Sequence, residues 1–140
     1  MTSRVPQARF YPLNYIRASD YDTVALQLKE SEYSLLTLNG ALVRDTASFL
    51  TAASTDLLQG IPAPNWSSFE DSFRDLIWTL DDRFVALVWT DAHRMLQGGL
   101  GDLVTALTLF TRVSELLKGN HTVLAVFLFG DGPNFPQINE

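Results

Sequence analysis

The stretch that decides the fold runs Ser67-Ser68-Phe69-Glu70-Asp71-Ser72-Phe73-Arg74-Asp75-Leu76-Ile77-Trp78-Thr79-Leu80-Asp81-Asp82-Arg83 and continues at once into Phe84-Val85-Ala86-Leu87-Val88-Trp89. In its first part Phe69, Phe73, Leu76, Ile77 and Leu80 recur at i, i+4, i+7, i+8 and i+11, the spacing of one buried helix face. Ser67 or Ser68 reads as the N-cap of that helix. The second part has no polar interruption, as expected of a strand buried on both faces. A helix running into a doubly buried strand is one unit of a parallel α/β sheet.

Working outward, the same alternation repeats. Downstream, Asp91 offers a cap for a short helix through Met95 and Leu96, which Gly98-Gly99-Leu100-Gly101 breaks. Asp102 then reads as the start of a long helix through Leu103, Leu107, Phe110 and Leu117, stopped by Gly119-Asn120. Thr122 to Phe129 is a second buried strand. Upstream, Pro62-Ala63-Pro64 forbids a helix, so 60–66 is a loop. Asp45-Thr46 offers a cap for a helix carrying Phe49, Leu50, Ala53 and Leu57, with Gly60 behind it. Tyr33 to Leu38, closed by Asn39-Gly40, is a first strand and turn.

The lead-in is less periodic. Ser19-Asp20 could cap a short helix ending near Glu30, although Thr23-Val24 suits a strand equally. Residues 1–18 read as an extended segment. The expectation is an α/β fold with a three-stranded parallel sheet, about four helices and right-handed crossovers. Residues 1–32 form an N-terminal extension, 33–130 the domain and 131–140 a tail.

Composition bounds the function. The chain has 140 residues, 46% of them hydrophobic and 19% charged, which fits one globular domain and not a disordered segment. It has no cysteine, so disulfides, thiolate metal sites and cysteine nucleophiles are excluded. Met1 to Pro6 carries no apolar core of signal-peptide length, and the apolar run Val123 to Phe129 is too short to span a bilayer. A cytoplasmic protein without membrane contact, and a monomer, is expected. The net charge of -6 gives no basic surface for a nucleic acid backbone. A basic protein partner suits it, and so does plain solubility.

The acidic helix is the candidate site. Asp71, Asp75, Trp78 and Asp82 fall on the side opposite the apolar stripe. Between 65 and 83, Glu70, Asp71, Asp75, Asp81 and Asp82 face only Arg74 and Arg83. Two carboxylates at i, i+4 repel, and an exposed tryptophan beside them is unfavourable in water. Both make sense under a cationic partner with Trp78 as an aromatic anchor. A merely solvated acidic face, with Trp78 tucked against a neighbour, is the alternative. Trp66 either staples the loop to the helix or flanks an interface built on it.

Catalysis finds less support. Adjacent turns of one convex helix do not make the cleft that a pair of catalytic carboxylates needs. His93 and His121, the two histidines, have no carboxylate at ligand spacing, so no metal and no cofactor is expected. The chain has no G-x-S-x-G elbow and no Walker lysine loop. Asp102 would repel a phosphate at the Gly98–Gly101 turn.

From Tyr33 to Gly130 the order of motifs resembles the barstar family of intracellular inhibitors of barnase-type ribonucleases. Leu38-Asn39-Gly40, Val43-Arg44-Asp45 and Phe49-Leu50 are similar to that family's opening, and Gly60-Ile61-Pro62 to its Gly-aromatic-Pro loop. Asn65-Trp66 stands where the family has two aromatics, and Asp71-Ser72-Phe73-Arg74-Asp75-Leu76 where it has Asp-Ala-Leu-x-Asp-Cys/Leu. The resemblance implies a non-enzymatic inhibitor whose partner is a basic, extracellular-type ribonuclease. It implies that Asp75 enters that enzyme's active site deepest and Asp71 a turn earlier. Trp66, Ser67, Arg74 and Trp78 would contribute contacts, and Glu115 a carboxylate from the last long helix. The chain departs from the family at Ser67, where a glycine is usual, at Phe69-Glu70, and at Pro64, which looks like an insertion.

Overall fold

The computed structural model describes residues 12–132. Strand β1 (Leu13–Arg17) leads through a 3-10 turn, Ala18–Asp20, into helix α1 (Tyr21–Glu30). Strand β2 (Ser34–Asn39), helix α2 (Thr46–Asp56), helix α3 (Trp66–Leu80) and strand β3 (Phe84–Thr90) follow. A 3-10 segment, Ala92–Gly98, then precedes helix α4 (Leu100–Lys118) and strand β4 (Val123–Gly130). Residues 1–11 of the expected lead-in and 133–140 of the expected tail lie outside the described residues.

The sheet is parallel throughout, in the order β1-β4-β3-β2. It has four strands where three were expected. The fourth, β1, arises from the stretch read only as extended, and pairs with β4 from Leu13↔Val126 to Arg17↔Gly130. Periodicity does not reveal it for a physical reason. Asn14 is buried in it and donates its side-chain N–H to the Val126 carbonyl at 3.2 Å, so a polar residue sits where the pattern looks for an apolar one. The helix–strand alternative at Thr23-Val24 is resolved as helix, since both lie in α1.

The topology explains the two layers of helix. The chain crosses the sheet one way from β1 to β2 and returns through β3 to β4. Right-handed crossovers then place α1 on one face and α2, α3 and α4 on the other. The uninterrupted apolar runs divide between these faces with the strand period of two. Val85, Leu87 and Trp89 of β3 and Leu124, Val126 and Leu128 of β4 join the main core with α2–α4. Ala86, Val88, Ala125, Phe127 and Phe129 pack with Leu28 of α1 in the second core.

An aromatic cluster sits where α3 meets the sheet. Phe110 of α4 lies 5.5 Å from Phe73, 6.2 Å from both Phe69 and Phe49, and 6.3 Å from Trp89, ring centre to ring centre. These edge-on contacts add about 0.5–1.5 kcal/mol per pair to the burial term. They set the height and rotation of α3, and so determine which of its residues remain in solvent.

Candidate partner-binding site

The N-terminus of α3 is fixed by local chemistry. Asn65 has extended backbone angles and its side chain accepts from the Ser68 N–H at 2.8 Å. The Ser68 hydroxyl accepts in return from the Asn65 N–H at 3.3 Å. This reciprocal capping box satisfies two donors that a helix start leaves unpaired. It corrects the expected cap at Ser67 or Ser68. Ser68 is the third helical residue, and the helix begins at Trp66.

Phe69, Phe73 and Ile77 are buried, as the spacing required, with Leu76 packed at the core margin. At about 100° per residue, the outer face then runs from the α4 side as Glu70, Arg74, Trp78, Asp71 and Asp75. Asp75 is exposed, and its carboxylate takes no hydrogen bond or ion pair among the described residues. The Asp71 side chain is 71% exposed and meets Arg74 Nη2 at 3.4 Å. The Arg74 guanidinium lies 5.7 Å from the centre of the Trp78 ring, and Trp78 is 48% exposed. The structure therefore brings Asp71, Asp75, Arg74 and Trp78 together on one surface.

Other expected positions lie differently. Trp66 is half-buried, its ring 5.0 Å from that of Phe49, so it closes the edge of the core. Ser67 is exposed on the first turn of α3. Glu115 is exposed on α4 and pairs with Lys118 at 3.3 Å. Asp82 leaves the acidic face, because α3 ends at Leu80 and Asp81 turns left-handed at φ 53. Asp82 instead accepts a 2.6 Å hydrogen bond from the Ser34 hydroxyl of β2.

Sequence spacing missed one pair. Glu70 accepts hydrogen bonds of 2.7 Å from both Nε and Nη2 of Arg112, a forked contact between α3 and α4. The hydrogen bond from Arg112, with the charges of Arg112 and Arg74 behind it, holds the Glu70 carboxyl below the usual glutamate range. The same bond raises Arg112. Charges thus alternate from α4 to the outer crest of α3: Arg112, Glu70, Arg74, Asp71. Nothing in the sequence pairs positions 42 apart.

A groove of about 560 Å³ between α2 and the end of β2 is lined by residues including Leu42, Ala47, Thr51 and Asp56. Asp56 there accepts from the Asn39 N–H at 2.9 Å. Among the described residues no cluster of three or more histidine, aspartate or glutamate side chains is placed to hold a metal ion. No helix among them is long and apolar enough to cross a membrane. Asp102, expected to open α4, instead accepts from the Thr46 N–H at 3.0 Å and ties α4 to the start of α2.

Comparison with known families matches residues 33–129 to the family described as Barstar (barnase inhibitor). No curated protein sequence gives a significant match. Among solved structures, a chain in the structure of Drosophila ORC bound to AT-rich DNA and Cdc6 superposes with a TM-score of 0.56 at 14% identity. The match covers 96% of this chain and 44% of that one, so this chain spans less than half of it. A chain in the structure of Drosophila ORC bound to DNA gives 0.55 at 15% identity, covering 96% of this chain and 74% of that one. Likeness at such identity shows the α/β fold alone. A Walker-type phosphate-binding strand–loop–helix carries the G-x-x-x-x-G-K-[ST] sequence. The turn from β1 to α1, Arg17-Ala18-Ser19-Asp20, has neither glycine nor lysine.

Proposed function

The chain belongs to the barstar family, and from that premise we propose that it binds and blocks the basic active site of a barnase-type ribonuclease, with α3 as the plug. The observation that carries this reading is the state of Asp75. It stands exposed on a helix fixed by a capping box and an aromatic core, its carboxylate unengaged among the described residues, beside Asp71 and the half-exposed Trp78. A carboxylate held ready on a rigid element loses little entropy on docking and gains charge-assisted hydrogen bonds to arginine or lysine. The net charge of -6 speeds encounter with a basic enzyme. The reading is of a binding protein, with no chemistry of its own, acting in the cytoplasm as a monomer. Titration of the chain into barnase, with RNA cleavage as readout, tests it. Loss of activity reaching completion at one chain per enzyme is the expected result.

A second reading has one observation in its favour. Trp66 and Ser67 stand where the family usually presents an aromatic and a glycine to the nuclease, and here Trp66 packs on Phe49. On this reading the domain is a protein-interaction module that has lost ribonuclease binding. Undiminished RNA cleavage, with no heat of binding at micromolar concentration, selects it over the first.

A further inference from the structure

We propose that Arg74 sets the selectivity of the α3 face by engaging an acidic group of the partner, so that the partner's footprint carries a carboxylate beside the cations that receive Asp71 and Asp75. The inference rests on the reading of α3 as the inhibitory face and names the chemistry of the surface that fits it.

A cation in this position is costly against a basic surface. Arg74 lies on the α4-side flank of the exposed face, in contact with Asp71 and one turn from Trp78. Its side chain is 28% exposed, and Nε is buried without an acceptor. Its contact to Asp71, at 3.4 Å, is longer than a charge-assisted hydrogen bond of 2.7–2.9 Å. The guanidinium is held in place from two sides, by Trp78 one turn on and by the charge of Glu70 one turn back. Glu70 itself is already occupied by both donors of Arg112. Among the described residues Arg74 thus has spare donors and no strong partner.

Docking removes the remaining water from those donors. Against a purely cationic surface the guanidinium meets like charge and keeps its donors unsatisfied. A partner carboxylate instead receives the fork, whose planar donors match carboxylate geometry. The face then presents a positive group on its α4 side and two negative groups beyond it, and a basic site without an acid is refused. Net charge alone makes the opposite forecast, that removing Arg74 improves binding to every basic protein.

The test exploits that difference in sign. The wild-type chain, Arg74→Gln and Arg74→Glu are assayed for inhibition of barnase and a panel of related basic microbial ribonucleases at fixed salt. Far-ultraviolet circular dichroism and melting temperature check that each variant is folded. The expected result is that every ribonuclease inhibited by the wild type is inhibited at least tenfold more weakly by Arg74→Gln and more weakly again by Arg74→Glu, despite their greater acidity. In a bound pair, acid-to-amide scanning of the ribonuclease should find one carboxylate whose replacement abolishes the Arg74→Gln effect. Inhibition equal to or stronger than wild type in Arg74→Gln overturns the selectivity role and leaves the inhibitor reading standing. A wild-type chain that inhibits no member of the panel overturns the inhibitor reading and this proposal with it.

Discussion

Glu70 of α3 accepts two hydrogen bonds of 2.7 Å from the guanidinium of Arg112 on α4. Glu70 is largely buried, 14% exposed, while Arg112 stays 55% exposed. The forked geometry clamps the two helices at the edge of the candidate site. Solvent screening of the exposed half limits its value, and Arg112→Gln should cost about 1 kcal/mol at neutral pH. Urea unfolding of the two proteins measures it. A loss within error of zero would show that the clamp does not hold the helices.

The same contact gives a pH dependence. The folded pKa of Glu70 is lowered, so its contribution is full above the ordinary glutamate range and is lost as pH falls through the lower folded value. Asp45 follows the same sign, lowered first by the hydrogen bond from the Ser48 N–H. Stability should therefore decline below about pH 4.5. The decline should be shallower in Arg112→Gln, read by urea midpoints in steps from neutral to acid.

Alkali should act through Tyr33. Burial pushes its hydroxyl up from 10.0 to about 12. The unfolded chain ionises first, so this contribution is intact below pH 10 and is lost as pH rises from there toward 12. Tyr15 shifts in the same direction. Tyr33→Phe should flatten the alkaline loss of stability, measured by denaturant titration between these limits. An unchanged slope would assign the loss elsewhere.

The two aspartates should differ on binding. Asp71 is partly engaged by Arg74, whereas Asp75 is unengaged among the described residues. Asp75→Ala should cost on the order of 3–5 kcal/mol of affinity for an inhibited ribonuclease, with Asp71→Ala costing less. Calorimetric titration of both variants ranks them. Equal affinity of Asp75→Ala and wild type would remove that residue from the interface.

Gly40 should tolerate no side chain. A Cβ built there runs into the Thr90 carbonyl oxygen and comes within 2.7 Å of the Trp89 indole nitrogen. Trp89 is fully buried and packed 5.2 Å from Phe49, so it has nowhere to move. Gly40→Ala should destabilise by about 2 kcal/mol or more. Thermal unfolding decides it, and a melting point equal to wild type would show that the turn relaxes.

Much of this was legible in order along the chain. The stripe Phe69, Phe73, Ile77 and the runs 84–89 and 123–129 announce a helix and two strands buried on both faces, because period and burial are local consequences of backbone geometry. Asp45 as a helix cap was equally readable. Strand β1 was not, since its identity lies in pairing with β4 and in the burial of Asn14, both set by residues more than a hundred positions away. The cap at Asn65 was missed because Ser67 and Ser68 offered the same chemistry closer to the apolar stripe.

The sequence by itself determined the α/β alternation, the family and the acidity of one helix. The alternation and the acidity follow from residue types at short spacing, and the family from the order of motifs over residues 33–129. Only the tertiary structure decided how that acidity is arranged. It turned Trp66 toward Phe49, gave Asp82 to Ser34 and Glu70 to Arg112, and left Asp75 exposed to solvent with Arg74 in contact with both Trp78 and Asp71. The reason is that a charge's value depends on its nearest opposite charge and on the water around it. Those neighbours are chosen by packing between distant elements and not by order in the chain.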